Sequence, residues 1–183
     1  MLLALLLLFS NVRCPPVGIT IVVHTAETVP AAELSRAETI AGGILRRAGI
    51  RAVWRNAGPG DLTAAPDEIP LHMLPIHPRT LAAEANGYAI LMGAHSYAGV
   101  SYPAVLRAAR SLGSDQSVVL AAVMAHELGH ILLGTSTHAT NGVMVMRFGP
   151  HEIQAVARGE LQFLRVEAQR MCAEIVRRAS TKP

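Results

Sequence analysis

Lysine is almost missing from this chain: Lys182 is the only one, and the rest of its 16 basic residues are arginines. Against 13 acidic residues they leave a net charge of +3 without any basic block, so neither nucleic acid nor an anionic membrane surface is an expected partner. Cysteine is scarce too. Two residues, Cys14 and Cys172, exclude a zinc site built from thiolates and leave room for at most one disulfide. The apolar run at the front covers residues 2–9, far short of the ~20 needed to cross a bilayer as a helix. Internal repeats and low-complexity tracts are absent, which argues against stacked or fibrous architectures. Charged residues reach only 16% while hydrophobic residues reach 51%, so the chain can bury enough apolar surface to offset its conformational entropy. At 183 residues it is expected to do so as one domain. Histidine, by contrast, is plentiful: eight residues, each a possible metal ligand.

The run 2–9 has the length of a signal peptide's apolar core, so residues 1–14 read as a signal peptide or apolar leading segment and the protein as secreted or periplasmic. No stable membrane insertion is expected beyond it. A Cys14–Cys172 bridge would suit that compartment, though two cysteines alone do not establish one. Residues 15–183 read as a single domain, divided into a sheet with its long helix (15–134) and a carboxyl-terminal part (135–183). Almost no chain separates the leading segment from the first strand, so no propeptide is expected.

β-Branched and apolar runs predict strands at 17–23, 50–54, 69–76, 87–92 and 97–102, the last two around a turn at 93–96. Apolar positions three and four residues apart predict a helix at 31–48, ended by Gly49. Further helices are expected at 103–112, 150–158 and 166–178, and a loop at 56–66. Strands interleaved with helices imply an α/β or α+β mixed sheet covered by helices on one core. The longest helix should begin after a cap at Ser114 or Asp115 and run to Leu133 before Gly134. It is apolar nearly all round, yet its second half carries two histidines and a glutamate. Unpaired polar groups on a buried helix are costly, so something must satisfy them.

Those residues are His126, Glu127 and His130, in the pattern H-E-x-x-H. One helical turn separates the histidines, so both rings can reach one ion, and Glu127 lies beside them as a general base. With eight His and ten Glu in the chain, chance would give about 0.02 such matches. A catalytic zinc usually takes three protein ligands, and His138 is the next imidazole downstream, beyond the Gly134 stop.

Over residues 125–146 the sequence resembles the metzincin clan of zinc metallopeptidases, whose motif continues H-E-x-x-H-x-x-G-x-x-H and is followed by a methionine turn. The resemblance implies a zincin-like mixed twisted sheet with a backing helix and an active-site helix, followed by a small helical subdomain. It also implies zinc held by three histidines, a water activated by Glu127, hydrolysis of internal peptide bonds in a polypeptide substrate, and an edge strand that pairs with that substrate. Strands 87–92 and 97–102 are the candidates for that edge.

The chain departs from the pattern by one extra residue on each side of the glycine, reading H-E-L-G-H-I-L-L-G-T-S-T-H. Ser136 stands where the third histidine usually falls. His138 is therefore expected as third ligand, with Glu152, which would make the protein gluzincin-like, as competitor. Met144 is expected as the methionine of the turn, with Met146 as alternative. Phe148 follows without the tyrosine some metzincins have. His24, His72, His77 and His151 have bland readings as surface or hydrogen-bonded residues, and His95, in the turn at 93–96, is read the same way or as a substrate-side group. The rival to the peptidase is a non-catalytic module that keeps the fold for binding or structural purposes.

Overall fold

The computed structural model describes residues 18–25, 29–57, 65 and 67–180. The expected leading segment 1–14, Cys14 and most of the loop 56–66 lie outside the described residues. Among the described residues, five strands and five α-helices follow one another in the order β1 (Gly18–His24), α1 (Ala31–Arg47), β2 (Arg51–Asn56), β3 (Glu68–Leu74), β4 (Gly87–Ile90), β5 (Tyr97–Ser101), α2 (Tyr102–Leu112), α3 (Gln116–Leu133), α4 (Pro150–Ala157) and α5 (Arg165–Ser180). A short 3-10 turn at Gly93–His95 joins β4 to β5.

The strands form one mixed sheet in the order β2-β1-β3-β5-β4. Four run parallel, and β4 is antiparallel to β5 at the edge. Parallel neighbours need a crossover, which α1 supplies between β1 and β2. Alternation along the strands turns Ile19, Ile21, Val23, Ile69, Leu71, Met73, Ala98 and Val100 to one face, where all are buried. The apolar stripe of α1, with Leu34, Ala37, Ala41, Ile44 and Leu45, joins the same core. Each fully buried Val, Leu, Ile or Met side chain of this set contributes ~1.5–3 kcal/mol relative to exposure.

Two expected strands end early. Pro75 interrupts hydrogen bonding after β3, leaving Ile76 76% exposed. β4 stops at Ile90 because Ser96 folds the chain back: its hydroxyl accepts from Met92 N at 2.9 Å and donates to Gly93 O at 2.8 Å.

α3 is the centre of the molecule. It packs against α1, α2, α4, α5, β4 and β5, and every residue from Ser117 to Leu132 is buried. By length and composition it could cross a membrane, but 89% of it is buried inside the protein, as befits a core helix. Asp115 caps its start, accepting from Ser117 N at 2.8 Å. Gly134 ends it in the left-handed region (φ 61°), where a side chain would be strained. Cys172, on the inner side of α5, is buried and disulfide-bonded.

Candidate metal centre

His126 and His130 project from one face of α3, one turn apart, and both are buried. Each ring is held from behind by a backbone carbonyl. His126 Nδ1 donates to Val143 O at 2.9 Å, and His130 Nδ1 donates to Thr135 O at 2.8 Å. A carbonyl can only accept, so each Nδ1 carries the proton and each Nε2 presents a lone pair. Those two Nε2 atoms lie 3.0 Å apart. Two lone pairs at that separation repel unless a cation lies between or beside them. Burial, opposed by the Val143 bond and reinforced by His130 and His138, lowers the His126 pKa to about 4. His130 is shifted the same way, first by burial. Protonation is therefore disfavoured, and the donor set fits a metal ion.

His138 completes the cluster from the loop beyond Gly134. Its ring centroid lies 5.2 Å from that of His126 and 5.0 Å from that of His130. Unlike the other two it is exposed, and the donor nitrogens of all three lie within 4.8 Å of one another. The three imidazoles are thus placed to hold a metal ion. Carbonyl partners behind two of them fix ring orientation and raise ligand basicity.

Glu127 is 6% exposed, and burial raises its carboxyl pKa to about 8. It faces the same cleft as the histidines, a space of ≈ 680 Å³ bounded by β4, α2, α3 and the segment after Gly134. Strand β4 touches it at Gly87, where a Cβ would stand 2.8 Å from Glu127 Oε1 and 2.8 Å from Gly99 O. Only glycine allows that approach. Nothing local to the sequence around Gly87 points to Glu127, 40 positions away.

The methionine alternatives part company. Met144 is 1% exposed, whereas Met146 is 71% exposed on the cleft rim. A Cβ on Gly129, between the two α3 histidines, would stand 2.5 Å from Met144 Sδ and 2.8 Å from the Phe163 ring. The glycine of the motif makes room for that sulfur beneath the cluster. The turn itself is closed by Ala139 N donating to Met144 O at 2.7 Å and by Val143 N donating to Gln162 O at 3.2 Å. Gly142 (φ 79°) lies against Gln162 O, so it too must be glycine.

Glu152 is not part of the cluster. It sits in the first turn of α4, where its carboxylate accepts from Gly149 N at 2.9 Å and contacts His151 Nδ1 at 3.3 Å. Burial pushes its pKa up, but the hydrogen bonds outweigh that and leave it lowered. Ser136 lines the cleft without joining the cluster.

The five other histidines lie elsewhere. His24 and His72 stack at 4.5 Å on neighbouring strands, on the face opposite the helices. His77 pairs with Ser101 Oγ at 3.0 Å and with Ala82 O at 3.2 Å. His95 is exposed in the 3-10 turn, and His151 begins α4. Of the two candidate edge strands, Tyr97–Ser101 is internal, between β3 and β4. The edge beside α3 is β4, Gly87–Ile90.

No protein-family model matches the chain, and no curated protein matches it either. The class that fold and site define is an α+β protein with a three-histidine cluster placed to hold a metal ion.

Proposed function

We propose that the chain is a zinc-dependent endopeptidase of zincin-like fold, with His126, His130 and His138 as ligands and Glu127 as general base. The observation that carries this reading is the pair of Nε2 lone pairs facing each other at 3.0 Å, with Glu127 buried in the same cleft. Among the described residues the cluster is made of three imidazoles without a thiolate, a donor set that suits zinc. The ion would supply Lewis-acid polarisation of the scissile carbonyl and a lowered water pKa.

The protein's own groups have separable roles. Val143 O and Thr135 O hold two rings in the ligating tautomer. Glu127 takes a proton from the attacking water and returns it to the leaving amine. Its raised pKa, caused by burial, falls as positive charge is placed nearby, which is the condition a base requires. The edge of β4 offers main-chain donors and acceptors to an extended substrate. Met144 supports the two α3 histidines from below through Gly129. The disulfide at Cys172 agrees with an exported protein.

The test combines zinc stoichiometry with cleavage of an unfolded protein substrate by wild type and Glu127→Gln. The variant should keep its zinc and lose ~10²–10⁴-fold in turnover. Bound zinc without cleavage dependent on Glu127 would favour the non-catalytic module.

A further inference from the structure

The cleft is lined by two loops from distant parts of the chain, and one ion pair ties them together. Glu84, in the loop that leads into β4, pairs with Arg147, in the segment after the 139–145 turn, at 2.9 Å. The two residues are 63 positions apart, and both line the cleft that holds His126 and Glu127. We propose that this pair is a strap joining the cleft walls, and that Arg147 receives a carboxylate on the substrate, which displaces Glu84 on binding. The proposal rests on the peptidase reading and names the substrate class: peptides with an aspartate or glutamate near the scissile bond.

Three features support the exchange. The side chains of Glu84 and Arg147 are 57% and 68% exposed, so their mutual attraction is weak and easily replaced. Arg107 of α2 lines the same cleft and donates to Ala83 O, beside Glu84, at 3.4 Å. The cleft lining thus includes two arginines, and of its two carboxylates only Glu84 is exposed, because Glu127 is buried. A substrate carboxylate that replaces Glu84 preserves the charge-assisted hydrogen bond to a planar guanidinium, whereas a basic side chain meets two like charges.

A proteome-derived peptide library should be digested with the zinc-loaded full chain and the cleavage sites read by mass spectrometry. Two fluorogenic decapeptides that differ only as Glu or Gln at the enriched position then give the size of the effect. Acidic residues should be enriched at one fixed position, with kcat/KM about tenfold higher for the Glu peptide. Glu84→Gln should raise kcat/KM for that peptide about 2- to 5-fold by releasing Arg147. Arg147→Glu should abolish the preference, and the charge-swapped E84R/R147E, which keeps an ion pair, should favour lysine and arginine there. Thermal melts of each variant identify any loss of fold. Cleavage without acidic enrichment, or enrichment unchanged in folded Arg147→Glu, overturns the proposal. No cleavage of any library peptide by zinc-loaded wild type overturns the peptidase reading itself, and this inference with it.

Discussion

His138 is the residue on which ligand assignment turns. It hangs from an exposed loop two positions later than the metzincin spacing implies, yet its ring reaches both α3 histidines. Glu152, the competing ligand, spends its carboxylate on Gly149 N at the start of α4. His138→Ala should therefore weaken zinc binding by more than the roughly 10–100-fold that loss of a partner behind a ligand costs. Glu152→Ala should leave zinc affinity near wild type and act on stability instead, through the α4 start. Competition titration with a chromogenic chelator measures both, and the reverse ranking would move the third ligand to Glu152. The motif residues could be read from the chain because one helical turn is a local distance. Val143, Thr135 and Gly87 could not, since a carbonyl behind a ring or a glycine against a carboxylate is a property of contacts between distant segments.

At the scale of elements, α3 carries the site and has well-defined ends. Its N-cap, Asp115, accepts from Ser117 N and Oγ and pairs with Arg36 of α1 at 3.2 Å. The bonds from Ser117 come first in holding its carboxyl below the usual range. A lowered folded-state pKa means that this cap stabilises above the unfolded value and that its contribution is lost as pH falls through the folded one. Asp115→Ala should cost ~1 kcal/mol at neutral pH, or about 2–4 °C in Tm for a chain of this size. The difference from wild type should shrink on acidification below the ordinary aspartate range. Melts of both proteins from neutral pH down to pH 3 check this, and a gap that widens with acid would contradict the capping role. Ser114 and Asp115 were both eligible caps in the sequence, and the hydrogen bond to Ser117 selects the second.

For the whole molecule, the three imidazoles come from two segments, α3 and the loop that follows it, and the turn at Met144 braces them from below. An ion that binds only this assembled arrangement stabilises the folded state by mass action. Zinc at 100 times its Kd should add ~2.7 kcal/mol, raising Tm by roughly 5–10 °C, and a chelator should reverse the shift. Scanning calorimetry with and without chelator measures it, and His130→Ala should abolish it. A Tm indifferent to zinc would remove the ion from the folded site whatever the activity.

Taken alone, the sequence determined the elements and the placement of side chains that local spacing controls. These include the strand runs, the helix from Gln116 to Leu133, its glycine stop, and the H-E-x-x-H face, because periods of two and 3.6 residues are written in neighbouring positions. Two strand ends were read too long, where Pro75 and the Ser96 hydrogen bonds divert the backbone. Strand order was decided only in three dimensions, and with it the choice of β4 over β5 as the edge. The same holds for Met144 over Met146: apolar methionines two positions apart look alike until Gly129 and Phe163 enclose one and solvent takes the other. Packing between segments far apart in the chain depends on the shape each offers the other, and no local period encodes that shape.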